Sequence, residues 1–389
     1  MIKKLCVIST RYPSKTDPIY AFLGALIEQF ADRGIECHVI SPVSFTERKH
    51  RASSRVEITS GGERIYVHCP RFMKLPQAME KGFLTVSFSA GNRRRAVWRA
   101  YKRNVGDCDA FYSHFLESGN DAAYLKKKTG KPAFVACGES NIRRNELIYT
   151  LYRDDIYDGF DGIVYVSSAI KSDAEKLDVF SEAIPTAVFP NGVNSEIFRP
   201  YDRTECRKKL NVAEDDYVIA FVGTYIKRKG FDKLQEILLR HPSWKCILIG
   251  SGDIPLKVPD SQVVFAGEAE HDKIPQIINA ADVFVLPTLA EGCCNAIVEA
   301  LACALPVISS DRPFNDDILD ESCSVRIDPE NTDEIASAIE RLENDRELRK
   351  SLSEGALRKS AGMNLKTRAD RIIRFMEECI QNGNKMSES

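Results

Sequence analysis

The 389-residue chain lacks several features that would assign it to a class at once. No apolar run approaches the ~20 residues needed to cross a bilayer, so no spanning helix is expected. The opening MIKKLCVISTRYP holds an apolar segment too short for a secretory signal and leads directly into what reads as a first strand. The twelve cysteines show no metal-type CxxC spacing and fall inside apolar segments such as LCVIS and KCILIG. They therefore read mostly as small buried hydrophobes in a reducing compartment, with no metal site expected. The adjacent Cys293 and Cys294 are too close for an ordinary bridge and are read as shaping their loop. The full GxGxxG dinucleotide fingerprint is missing, and no nucleic-acid recognition motif accompanies the basic residues. The expectation is a cytoplasmic protein, without nucleic acid as a partner.

What is present is the profile of a soluble globular protein, 43% hydrophobic and 28% charged, with a length suited to two domains. The net charge of -2 conceals an asymmetry: residues 1–190 hold 28 Lys and Arg against 22 Asp and Glu, and the remainder 26 against 34. A basic first half points to an anionic partner such as a membrane surface or an acidic substrate.

Short β-rich runs alternate with helical patterns throughout, which predicts α/β architecture with parallel sheets covered on both faces. The first half offers strands at 5–9, 37–41, 64–69, 110–114, 133–137 and 162–168, and the second at 217–223, 245–250, 263–267, 283–287, 306–310 and 324–328. Between them FPNGVNSEIFRPYDR breaks regular structure. The predicted domains are therefore 1–197 and 198–365, with a helix over 366–389 that returns to the first domain and ends in a frayed tail. One segment, GNRRRAVWRAYKRN, places Val97, Trp98, Tyr101 and Val105 on one side of a helix and Arg93, Arg94, Arg95, Arg99, Lys102 and Arg103 on the rest. Two readings stand: residues 93–103 contact an anionic membrane at its inner face, or the helix is solvated with its aromatic stripe in the core.

Three features of the second half converge on one chemistry. In FVGTYIKRKGFDKL a strand ends at Gly223, Thr224 follows, and Arg228-Lys229 precede a glycine and a helix. Cations at a strand-to-helix turn suit a diphosphate, since arginine forks two oxygens and lysine supplies a compact charge; a solvated basic turn is the alternative. LIGSGD ends a second strand in small residues at Gly250, where a base or ribose can approach the backbone. In TLAEGCCNAIVEALACALPVISSD, Glu291-Gly292-Cys293-Cys294 make a turn, Asn295 starts a helix, and Glu299 lies one turn into it. Either glutamate alone reads as a solvated helix-start carboxylate. Together, in this order, the three features favour a nucleoside-diphosphate sugar.

The stretch from VGTYIKRKG through EGCCNAIVEALACALPVISS, with its Glu-x7-Glu pattern Glu291…Glu299, resembles the retaining glycosyltransferases of family 4. PNGVN, ISTRYP and ALIEQFADRGIECHVISP match more loosely, so the likeness covers nearly the whole chain. The resemblance implies the GT-B architecture: two facing Rossmann-like, doubly wound domains with an inter-domain cleft, the first for acceptor and the second for nucleotide sugar. It implies that Glu299 holds the ribose, that Glu291 contacts the donor sugar near the reacting centre, and that Lys229 and Arg228 neutralise the leaving diphosphate. It implies no cofactor and no metal, with a nucleoside-diphosphate sugar as co-substrate, UDP ahead of GDP, and a glycan or lipid-linked acceptor. Gly223, Thr224, Gly250, Gly292, Cys293, Cys294 and Asn295 would line the donor pocket.

The chain departs from the family pattern at three places. Thr224 stands where many members have arginine, which shifts the load to Arg228. Tyr20 occupies a position where a Gly-rich loop is usual. FVACGES has Cys137 in place of a histidine, and a thiol cannot replace a neutral imidazole as a hydrogen-bonding group. Glu139, as sugar-hydroxyl ligand or base, and His114 at the end of the preceding strand are the candidates for that role, with Ser140 beside them on the acceptor side; an exposed loop carboxylate and a structural histidine are the alternatives. Two further readings compete with sugar transfer: a nucleotide-sugar epimerase of related fold, and a catalytically silent nucleotide-sugar-binding scaffold.

Overall fold

The computed structural model describes residues 1–14, 20–46, 53–75, 83–142 and 150–388, and the chain divides into two compact units. The first comprises Met1–Phe189 and Lys366–Ser389, the second Pro190–Leu365. The division falls inside the Pro- and Gly-broken stretch, and the helix Leu365–Glu388 runs through the segment read as a frayed tail.

The first unit is built on strands β1 (Lys4–Ile8), β2 (Glu36–Ile40), β3 (Val43–Ser44), β4 (Arg55–Ile58), β5 (Arg64–His68), β6 (Arg71–Phe72), β7 (Ala110–His114), β8 (Ala133–Cys137), β9 (Gly162–Tyr165) and β10 (Thr186–Val188). Its eight-stranded sheet has the order β10-β9-β8-β7-β1-β2-β5-β4. All neighbours in it run parallel except β4, which pairs antiparallel with β5. β7 and β8 are buried at every position, as expected of parallel strands with helices on both faces. β4 instead alternates half-buried and exposed residues, so one of its faces meets water and it serves as an edge.

The second unit holds β11 (Val218–Val222), β12 (Lys245–Ile249), β13 (Val263–Gly267), β14 (Val283–Leu286), β15 (Val307–Ser310) and β16 (Ser324–Ile327). Its parallel sheet has the order β13-β12-β11-β14-β15-β16, a doubly wound arrangement whose direction of winding reverses between β11 and β14. In such sheets a crevice opens at the carboxyl ends of the two strands flanking the reversal. Asp282 sets their register, because its carboxylate accepts the Val218 N–H at 2.9 Å and is held in turn by Arg207 at 2.8 Å. Side-chain caps start the surrounding helices: Asp202 accepts from Glu205 N–H, Asn331 from Glu334, and Asp345 from Leu348. All twelve strands read from the sequence are present; among the described residues the four not foreseen, β3, β4, β6 and β10, are two to four residues long. All twelve cysteines are buried free thiols.

Candidate active site

At the reversal point, the turns leaving β11 and β14 are tied to each other. After β11 the chain makes a single 3-10 turn, Lys227–Lys229, then passes through Gly230 into the helix Phe231–Arg240. Gly230 has φ +71°, and a Cβ there would run into the Pro287 carbonyl, so both conformation and space demand glycine. The Arg228 carbonyl accepts the Leu289 N–H at 2.7 Å, and the Thr288 hydroxyl oxygen lies 3.1 Å from it. A backbone bond thus holds the basic turn against the acidic one.

That clamp sets the charges. Oε1 of Glu291 accepts from Lys229 Nζ at 2.6 Å, Thr288 Oγ1 at 2.8 Å and Arg228 Nη1 at 3.1 Å. Lys229 and Glu291 are 13% and 11% exposed, whereas Arg228 at 39% reaches solvent. Burial pushes the Lys229 ammonium down, but the charge of the Glu291 carboxylate and its hydrogen bond carry it above its ordinary value. Burial likewise raises the Cys294 thiol, to about 11, against the opposing pull of Lys229, so it stays a neutral thiol. Lys229 and Glu291 form a charge-compensated pair with Arg228 at its rim, in a place where a diphosphate would compete for both cations.

The turn Glu291–Cys294 leads into the helix Asn295–Ala302 and is fastened from outside by Asn191, whose N–H donates to Cys293 Sγ at 3.3 Å and whose side-chain amide donates to the Cys293 carbonyl at 3.1 Å. In PNGVN this asparagine is legible only as a breaker; its fastening role is not. One turn into the helix, Glu299 Oε1 contacts His271 Nε2 at 2.8 Å, a histidine in the loop after β13 that the motifs do not single out. On the neighbouring strand ends, Gly250 has φ +139° and donates its N–H to the Gly267 carbonyl at 2.9 Å. A side chain at Gly250 would collide with the Gly223 carbonyl, which keeps this edge low and open. Thr224 is exposed, Gly292, Cys293 and Cys294 are buried, and Asn295 is half-buried. The donor-side candidates therefore sit on the carboxyl edge of this one sheet and on the helix beside it.

The first-unit candidates behave differently. His114 is 1% exposed, with the rings of Phe115 and Phe22 packed at 4.5 and 5.0 Å. Burial, helped by the charge of Arg368, lowers its imidazole to about 3, so it is neutral and sealed rather than open to a substrate. Cys137 is fully buried. Glu139 accepts the Gly138 N–H at 2.9 Å and also the N–H of Leu116, the first residue of the helix Leu116–Thr129. Its carboxylate acts as the anion at a helix start; burial raises its pKa and these backbone donors oppose the rise. Ser140 is half-buried beside it.

The basic segment is also re-sorted. The helix Phe83–Ala100 continues into a π turn, Tyr101–Val105, with Val97, Tyr101 and Val105 in the core. Arg93 and Arg94 are buried rather than on a polar surface: Arg93 pairs with Asp121 at 2.9 Å and with Glu117, and Arg94 with Asp155 at 2.9 Å beneath the Tyr152 ring. Arg95, Arg99, Lys102 and Arg103 remain exposed. No helix among the described residues is long and apolar enough to cross a membrane, and among them no three His, Cys, Asp or Glu side chains group as metal ligands.

Two units on parallel sheets, the second wound 3-2-1-4-5-6 with its cations at the reversal, form the architecture of the GT-B glycosyltransferases. Residues 202–359, most of the second unit, match the family model described as glycosyl transferases group 1. The chain is 25% identical over 366 residues to a putative teichuronic acid biosynthesis glycosyltransferase of Bacillus subtilis, covering 88% of this chain and 90% of that one. It is 24% identical to the D-inositol 3-phosphate glycosyltransferase of Stackebrandtia nassauensis, covering 91% and 85%. Sucrose-phosphate synthase from Thermosynechococcus elongatus shares the fold with a TM-score of 0.78 at 19% identity, over 98% of this chain and all of that one. So does the Anabaena protein HepE solved with UDP-glucose, with a TM-score of 0.72 at 16% identity over 97% and 100%.

Proposed function

We propose that this glycosyltransferase moves a sugar, with retention and without a metal, from a nucleoside-diphosphate sugar to a lipid-linked or polysaccharide acceptor of the cell envelope, with UDP as the preferred nucleotide. The observation that carries the reading is the Lys229–Arg228–Glu291–Thr288 cluster at the strand-order reversal. When the bond between anomeric carbon and diphosphate oxygen breaks, negative charge grows on the leaving group and the sugar becomes oxocarbenium-like. Fixed cations in a partly dehydrated site stabilise that charge without reorganising. Lys229 and Arg228 are such cations, and the bond from the Leu289 N–H to the Arg228 carbonyl fixes their turn.

The diphosphate competes with Glu291 for both cations, which frees Glu291 Oε1 to accept a hydroxyl of the donor sugar. Glu299 then takes the ribose hydroxyls from the helix face. The acceptor hydroxyl oxygen bonds to the anomeric carbon on the face the diphosphate leaves and passes its proton to the departing diphosphate oxygen, so the products are the glycosylated acceptor and the protonated nucleoside diphosphate. UDP in the HepE complexes and teichuronic acid in the name of the Bacillus relative support the choices of nucleotide and acceptor. The test is calorimetric titration of UDP, GDP and ADP into the wild type and Glu299→Ala. UDP binding at least tenfold tighter than GDP or ADP, and lost in the variant, is expected. A folded protein that binds none of the three overturns the reading.

A further inference from the structure

We propose that His271 is the positioning residue for Glu299, and that protonation of its imidazole couples donor binding to pH. The inference rests on the reading of Glu299 as the ribose ligand.

A carboxylate that must accept two adjacent hydroxyls has to be held in one rotamer, and a glutamate on an exposed helix face is free to swing. Here it is not free. Glu299 is 14% exposed, and His271 Nε2 lies 2.8 Å from its Oε1. His271 is itself braced on the other side by the Phe198 ring, 4.9 Å away between centroids. Phe198 is buried, its N–H donates to the Asn194 carbonyl at 2.8 Å, and the chain just after it is tied to Asn279, which accepts the Tyr201 N–H at 2.9 Å and donates to the Arg199 carbonyl at 3.2 Å. The imidazole is thus sandwiched between a fixed ring and the carboxylate, although 48% of it still meets solvent.

One lone pair of Oε1 is committed to His271, which leaves Oε2 and the rest of Oε1 to the ribose. Burial lowers the imidazole pKa, while the hydrogen bond to Glu299, its charge and the charge of Asp272 outweigh that and raise it. Asp272 in turn has Lys273 at 3.3 Å. The aromatic Phe198 packs on the ring as well, and Cys303 lies one turn beyond Glu299. The imidazolium offsets the Glu299 charge as an anionic donor arrives. A neutral imidazole still donates from Nε2 but leaves that charge uncompensated, so donor affinity falls as pH rises through the His271 pKa.

The experiment is calorimetric titration of UDP at pH 6, 7 and 8.5, in buffers of different ionisation enthalpy, into wild type, His271→Gln, His271→Ala and Glu299→Ala, all in a Trp98→Phe background and each first shown to be folded by Trp244 fluorescence. The wild type should bind about tenfold more weakly at pH 8.5 than at pH 6 and take up protons on binding, beyond any uptake by UDP itself. His271→Gln, which keeps a donor but cannot titrate, should show neither the excess uptake nor the steep pH profile. His271→Ala should bind roughly tenfold more weakly than wild type at pH 6. Equal affinities and proton uptake in wild type and both His271 variants, with binding lost in Glu299→Ala, would overturn the inference and leave the ribose reading standing. Unchanged binding in Glu299→Ala would instead sink the ribose reading, and this inference with it.

Discussion

The contact between Lys229 and Glu291 can be weighed in the absence of any nucleotide. At 2.6 Å and an effective dielectric near 20, the attraction between the two charges is about 6 kcal/mol. Taking two groups that retain little more than a tenth of their exposure out of water offsets most of this. A net coupling of about 2 kcal/mol is therefore expected, within the ~0.5–3 kcal/mol found for residues in contact. The perturbation is a double-mutant cycle of Lys229→Met and Glu291→Gln. Each single change should destabilise the second unit by about 2–3 kcal/mol, because it strands a largely buried charge, and the double mutant should fall well short of their sum. The chain has two tryptophans, Trp98 in the first unit and Trp244 in the second, so a Trp98→Phe background lets urea unfolding followed by fluorescence report the second unit alone. The Lys229 pKa is raised in the folded state, so its contribution is fully present below the ordinary ~10.4 and is lost only as pH climbs through the raised value. A cycle at pH 7 therefore captures all of it. Additive single effects, with all variants folded, would show that the pair contributes no coupling and that the charges are not what organises the two turns.

Two further outcomes follow from the backbone and from the histidines. The helix Asn295–Ala302 ends in a Schellman arrangement, with Leu305 N–H to the Ala300 carbonyl and Ala304 N–H to the Leu301 carbonyl, both at 3.0 Å, and the left-handed position (φ +58°) is filled by Ala304. Ala304→Gly should stabilise the second unit by about 1 kcal/mol, seen as a rise of about 2–4 °C in its Tm; a fall would refute the strain. In the first unit, burial lowers the pKa of His38, of His68 to about 4, and of His114 to about 3. Folded-state values below the ordinary ~6.5 mean stability that is whole above that pH and lost progressively as pH falls toward 4. His38 and His68 are linked, with Nδ1 of one 3.0 Å from Nε2 of the other, so the hydrogen-exchange protection factors of β2 and β5, taken against the intrinsic rate at each pH, should fall between pH 6.5 and 4.5, and fall less in His68→Asn.

What the sequence made legible is what neighbours along the chain or obeys a sheet rule. Lys229 and Glu291 are far apart in sequence, yet each stands just past a strand end, and the winding of a doubly wound sheet brings those two ends together. The missing strand β4 was hidden because its four residues are half exposed and lie at an edge, so they lack the apolar run that marks β7 and β8. Charge sign was a poorer guide than position. Periodicity put Arg93 and Arg94 with the other cations, but a basic residue reads the same whether it meets water or Asp121 and Asp155, carboxylates contributed by other helices. The same limit hid His271. In the sequence it is one histidine in a polar loop, and nothing local ties it to a helix that begins beyond the next strand. Its role requires three segments at once: Phe198 from the linker, the loop after β13, and Glu299 from the helix. Positions that define a sheet's edge can be read from a motif, whereas the side chains that hold the motif in its rotamer are recruited from wherever the fold brings them. A linker that looks like punctuation between domains thus supplies both Asn191 against the Cys293 carbonyl and Phe198 against His271.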